Sequence, residues 1–350
     1  MVLVKVVFIF LLKINFLTHT KSLFTHKSYY DEELARKLYL LCYESNLQDA
    51  GRCIPKYVGG FETFYLYSSK LIRCDHFRNK CAFFIMVSKV KSVIIVVFSG
   101  SLNTNQLLRQ GLSLFQKRIL FHQIGWINRY YASSFEKLWL YVKRVFLDYK
   151  YRNFKTYITG HSLGGVFASL TAIKVQVLGL KKSQDIYLYT FGAPRFGSYI
   201  FSANFNFRIP NSYRVVLGSD IVPHFPPCKK VKDRYLKFYT KLIRNFRKKT
   251  NSRPCDPRDL HGYYHHGHEI WYPTGTEFSF VECTGFPKNE DFECSDGLVY
   301  NRKTLRENAR DHELYFIYLI SNYGRMFNYR SSRNCTILDG PKNLRKRYYE

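Results

Sequence analysis

Two rhythms of apolar and polar positions run along the chain. The run from Tyr30 to Tyr43 reads as an amphipathic helix, and Asp31, Glu32 and Glu33 fall in its first turn, where the helix dipole favours acids. Ala82 to Val87 and Val93 to Phe98 are short blocks of β-branched and aromatic residues, which predict buried strands. Ser133 and Glu136 are spaced as a capping box ahead of Phe135, Leu138, Val142 and Val145, predicting a helix to about Tyr149. A strand follows at Lys155 to Thr159, a helix at Gly165 to Leu178, and strands at Ile186 to Phe191 and Tyr213 to Leu217. Strands alternating with helices imply a mostly parallel sheet covered on both faces. With no internal repeat and no linker to divide it, the chain reads as one large domain.

The first residues follow another pattern. Lys5 gives a charged start, Val6 to Leu12 is an apolar run, and Thr18 to Ser22 turns polar. Residues 1–22 therefore read as a secretory signal peptide, with a retained anchor or an ordinary first strand as alternatives. The expected domain is 23–325, followed by a basic tail at 326–350.

Composition narrows the class. Apolar residues make up 46% of the 350 positions, enough for a large core, so wholesale disorder is excluded. The one apolar stretch of membrane length is interrupted by Lys5 and Lys13, which excludes a multispanning membrane protein. Nine cysteines include the close pairs Cys74/Cys81 and Cys283/Cys294, a spacing that suits disulfides in an oxidising compartment, although spacing does not fix connectivity. The formal charge of +28 favours anionic partners. Over a third of it lies in Lys229 to Arg253, which carries eleven Lys or Arg and one acid. There Val231, Tyr235, Leu236, Phe238, Tyr239, Leu242, Ile243 and Phe246 recur at helical spacing, the pattern of a basic amphipathic helix on an anionic membrane surface. Cys228 and Cys255 flank the segment and could staple its base. A solvated insertion packed on the domain is the alternative. No groove-reading motif accompanies the charge, so a specific nucleic-acid partner is not expected.

Gly160-His161-Ser162-Leu163-Gly164 fits the nucleophile elbow, in which a serine sits on a sharp turn between strand and helix. The helix that follows aims backbone N–H groups at the place where an oxyanion would form, the N–H of Leu163 among them. Ser162, Asp220 and His312 stand in the chain order that an α/β-hydrolase requires. His265, His266 and His268 could suggest a metal site, but side chains of a strand alternate faces and cannot all converge. His265 remains a rival base, and Asp220 could be a turn residue after Gly218-Ser219.

Several segments together resemble the class 3 lipases, the family of the secreted fungal triacylglycerol lipases. They are Ile158 to Gly165, Thr190 to Gly197, Ser219 to Pro227, Tyr263 to His266 with Glu269 to Tyr272, and Asp311 to Phe316. Tyr30 to Arg36 and the Cys283/Cys294 loop look most like a nematode-type branch. The resemblance implies an α/β-hydrolase with Ser162 as nucleophile, Asp220 as acid and His312 as base, and a Cys283–Cys294 pair. Ser101 would supply a second oxyanion N–H. Ser99 stands where the family usually has arginine. Leu102 to Leu114 occupies the family's lid position, with Leu102, Leu107 and Leu108 toward the acyl site. An ordinary surface helix is the alternative there. Residues 228–262 exceed the family's usual short connection. The implied activity is secreted hydrolysis of acylglycerol esters, with no metal or organic cofactor. Alternatives are a phospholipase or general esterase, or a catalytically silent lipid-surface binder on the same fold.

Overall fold

Valine, isoleucine and phenylalanine recur on both faces of the central strands, as a sheet buried on both sides requires. This computed structural model describes residues 30–44, 60–75, 79–100, 117–232, 235, 252–300 and 305–316, the side chains of 44 and 305–307 excepted. The chain divides into two units, Met1–Asp31 and Glu32–Glu350, and every element below belongs to the second. The expected signal segment and tail lie outside the described residues.

The large sheet has the order β1-β2-β3-β6-β7-β9-β11-β12. Its strands are β1 (Tyr65–Arg73), β2 (Lys80–Ser88), β3 (Val93–Phe98), β6 (Lys155–His161), β7 (Ile186–Phe191), β9 (Ser212–Leu217), β11 (His268–Tyr272) and β12 (Val281–Cys283). From β3 through β11 the neighbours are parallel, and β1, β2 and β12 extend the edges antiparallel. Helices cover both faces. Thr159 of β6 meets Cys42 of α1 (Glu32–Glu44), while the adjacent Ile158 packs in one core with α2 (Arg129–Leu147) and α3 (Leu163–Val177). Neighbouring strand residues point to opposite faces, so α1 lies on one side and α2 with α3 on the other. This is the α/β-hydrolase architecture expected.

Two sequence expectations change. The Ser133/Glu136 capping box is not the start of α2. The helix begins a turn earlier, where the Asn128 side chain accepts from the Tyr130 N–H, and Glu136 instead pairs with Lys174 of α3 at 2.6 Å. The Tyr-Tyr-His-His and Glu-Ile-Trp-Tyr segments, expected to share a strand, lie in different sheets. β10 (Tyr263–Tyr264) joins a small antiparallel sheet of order β10-β8-β5-β4 with β8 (Gly197–Ser198), β5 (Gly125–Asn128) and β4 (Arg118–Phe121). Gly267 separates it from β11 at φ +77°, a turn that favours glycine. The small sheet itself was not anticipated, because strands this short carry no readable period.

Among the described residues, three disulfides join Cys74–Cys81, Cys228–Cys255 and Cys283–Cys294. Cys42 is buried, 3.2 Å from the Thr159 hydroxyl, and burial pushes its thiol up to about 12.

Candidate active site

The sharp turn between β6 and α3 is set by glycine. Ser162 lies at φ 55°, ψ −126°, a strained backbone for a residue with a side chain. A Cβ on Gly160 would sit 2.2 Å from the backbone of Gly164, and one on Gly164 would sit 2.4 Å from the Phe98 carbonyl oxygen. Strand, elbow and helix can therefore close only on glycine. The Ser162 N–H donates to the Phe191 carbonyl oxygen at 2.9 Å, which ties the elbow to the end of β7.

Asp220 lies in the turn after β9, closed by its own N–H to the Leu217 carbonyl at 2.9 Å. It is thus a turn residue and also a fully buried carboxylate. Three donors converge on its carboxylate. Val222 N–H reaches Oδ1 at 2.9 Å, while His312 Nδ1 and the Tyr315 hydroxyl reach Oδ2 at 2.9 and 2.7 Å. Burial and the Asp220 charge raise Tyr315 well above the ordinary phenol range, which keeps it a proton donor. His312 follows α4 (Leu305–Asp311), and Asp311 accepts from the Ser219 N–H and hydroxyl at 2.8 and 2.9 Å, locking the Asp220 turn to the His312 segment. The second ring nitrogen of His312, Nε2, is buried with no hydrogen-bond partner among the described residues. Gly192 lies under this pair at φ +57°. A Cβ there would be 2.8 Å from Asp220 Oδ2 and 2.9 Å from His312 Nδ1.

Beside Ser162 runs the end of β3, where a Cβ on Gly100 would come within 3.6 Å of the Ser162 Cβ. Ser99 is buried, and its hydroxyl bonds the backbone of Ala82 at 3.2 Å. The strand end is therefore anchored without an arginine. Leu163 opens α3, whose first N–H groups have no partner within the helix. Ser101 and the lid candidates Leu102, Leu107 and Leu108 lie outside the described residues.

The other histidines take separate partners. His265 Nε2 lies 2.7 Å from the Pro223 carbonyl, His266 Nε2 lies 3.0 Å from the Ser169 hydroxyl, and His268 faces Glu282 at 3.6 Å. His265 is held well below the usual imidazole range by burial and then by Arg214 and Arg195. It supports the acid turn from below and makes no bond to Asp220. The acid segment rests also on Arg195, buried and bonded to Glu290 at 2.7 Å and Asp296 at 3.1 Å. Among the described residues, the tight groups of metal-ligand type draw on sulfurs already joined in disulfides.

Sequence reasoning overlooked Tyr315, although it stands three residues after His312 in the quoted motif. It also gave no role to Gly192 or His161.

The basic segment is described only at its foot. Val231 N–H donates to the Pro254 carbonyl at 3.0 Å and Asp256 N–H to the Lys229 carbonyl at 2.8 Å, beside the Cys228–Cys255 bond. Val231 is buried against Phe292, and Lys230 pairs with Asp296 at 3.2 Å.

Residues 95–230 match the family model for lipase (class 3). The chain is 39% identical over 298 residues to the lipase ZK262.3 of Caenorhabditis elegans, covering 85% of this chain and 82% of that one. In fold it is similar to a lipase from Rhizopus microsporus var. chinensis, with a TM-score of 0.61 at 20% identity over 82% of this chain and 88% of that one. It is likewise similar to a triacylglycerol lipase described as having a serine protease triad at its catalytic centre, with a TM-score of 0.56 at 21% identity over 80% and 94%.

Proposed function

Because the chain belongs to the class 3 lipase family, and with it to the carboxylic ester hydrolases, we propose that it cleaves acylglycerol esters through an acyl-enzyme on Ser162. The observation that carries this reading is the buried Asp220–His312 pair at 2.9 Å, whose free Nε2 belongs to the histidine packed beside the strained serine elbow.

His312 Nε2 takes the Ser162 hydroxyl proton as Oγ attacks the ester carbonyl. The Asp220 carboxylate holds the Nδ1–H tautomer and stabilises the imidazolium that forms. Leu163 and Ser101 N–H groups receive the oxyanion. The imidazolium then protonates the leaving alcohol, and a water activated by the same histidine releases the fatty acid. Leu102, Leu107 and Leu108 cover the acyl site in water and move aside on lipid. The basic segment 229–253 docks on an anionic membrane surface. The charged start and apolar run of residues 1–22, with three disulfides, support secretion.

Purified protein should label with a fluorophosphonate, and Ser162→Ala should not. Ser162→Ala, Asp220→Asn and His312→Ala should each lose roughly 10⁴-fold or more of esterase activity while keeping the fold. Triacylglycerol emulsions should be cleaved faster than phospholipid vesicles. The opposite preference would overturn the acylglycerol assignment, and labelling that persists in Ser162→Ala would overturn the nucleophile.

A further inference from the structure

The proton transfers above leave unused the buried imidazole next to the nucleophile. His161 precedes Ser162, and its Nε2 lies 2.8 Å from the backbone carbonyl oxygen of His312. A carbonyl only accepts, so Nε2 carries the hydrogen and donates it. The two rings also lie against each other, with centroids 4.5 Å apart and planes inclined by 31°. Tyr39 and Tyr315 pack edge-on against the His161 ring at 5.7 and 5.6 Å.

We propose that His161 is a positioning residue for the catalytic base, fixing the peptide and the ring of His312 so that its Nε2 faces Ser162. The inference rests on the triad reading above. Its physical reason is that the Asp220 bond restrains one ring atom of His312, while the His161 bond holds the carbonyl of the same residue. The His161 bond ties that backbone to the residue next to the nucleophile, so elbow and base move as one. Burial, and then the neighbouring His312, hold His161 well below the usual imidazole range, against the lift from its own hydrogen bond. It stays neutral, and adds no repulsion when His312 becomes an imidazolium.

The full-length protein tests this with p-nitrophenyl butyrate, reading kcat and KM separately, with circular dichroism as the check on folding. His161→Leu removes the donor and should lower kcat by about 10²-fold with KM within about twofold, the size of loss that small misplacements produce. His161→Gln carries an amide nitrogen that reaches the place of Nε2 and should restore most of kcat. His161→Asn reaches only the place of Nδ1 and should not. A leucine variant with parental kcat would overturn the proposal, as would a glutamine variant no better than leucine. Should leucine fail to fold, equal kcat in the glutamine and asparagine variants would overturn it. A parent whose turnover survives Ser162→Ala would sink the triad reading and this inference together. An active, Ser162-dependent parent with unaffected His161 variants would sink this inference alone.

Discussion

At Gly192 a single missing Cβ leaves room for Asp220 and His312 to meet. Its φ of +57° already disfavours any side chain, and the added carbon would press on Asp220 Oδ2 and His312 Nδ1 at once. Both groups are anchored from behind, Asp220 by Val222 and Tyr315 and His312 by His161, so the clash falls on the bond between them. Gly192→Ala should therefore lower kcat by about 10²-fold or more. Thermal unfolding should show a far smaller loss than a core cavity of the 2–5 kcal/mol kind would give. Parental kcat in a folded Gly192→Ala protein would show that the contact relaxes without disturbing the pair.

Between β5 and α2 the two candidate caps give opposite expectations. Asn128 accepts from Tyr130 N–H and also donates to the Tyr263 hydroxyl at 3.1 Å, so it joins helix start to small sheet. Asn128→Ala should cost about 1 kcal/mol for the cap, and more for the lost bond to Tyr263. Ser133, exposed within the helix, should be neutral or slightly stabilising as alanine, since serine is the poorer helix former. Melting temperatures of the two variants decide between the positions. A destabilising Ser133→Ala beside a neutral Asn128→Ala would restore the cap read from the Ser-x-x-Glu pattern.

Over the whole molecule, buried imidazoles set the response to acid. His161, His224 and His265 are held well below the ordinary histidine range and His266 near about 3, each through burial first. A histidine whose pKa falls on folding binds its proton more readily in the unfolded chain. Stability is therefore lost as the pH drops below the ordinary histidine value of about 6.5, by up to about 1.4 kcal/mol per pH unit for each group. Asp296, raised to about 6 by burial, and Asp291, also raised, act in the opposite sense but are fewer. The melting temperature should fall between about pH 7 and pH 5, and a flat or rising profile would refute the balance. The same scale governs the basic segment. Its foot is part of the domain through Val231, Lys230 and the Cys228–Cys255 bond, so removing all of 229–253 would damage the fold. Replacing residues 233–251 with a short neutral linker spares the foot and removes seven Lys or Arg and one Asp. That variant should bind anionic vesicles far more weakly at low salt, since each basic residue near the surface contributes about 1 kcal/mol. Turnover of a small soluble ester should stay the same. Equal vesicle binding by parent and variant would end the docking idea.

What was legible in the sequence was local. The elbow at Ser162, the long apolar strands β2, β3, β6, β7 and β9 and the mostly apolar α3 announce themselves by motif and period, because their residues are set by neighbours a few positions away. The order of Ser162, Asp220 and His312 was legible for the same reason, through short segments around each. Only the tertiary structure decided what depends on residues far apart in the chain. It separated β10 from β11, since strands of two to five residues take their place from partners and not from a pattern of their own. It moved the α2 cap to Asn128, where the small sheet ends. It brought Tyr315 onto Asp220 and the His312 carbonyl onto His161, contacts spanning 95 and 151 residues that no local spacing encodes. Burial then made four imidazoles neutral, because desolvation is a property of the folded surroundings and not of the residue.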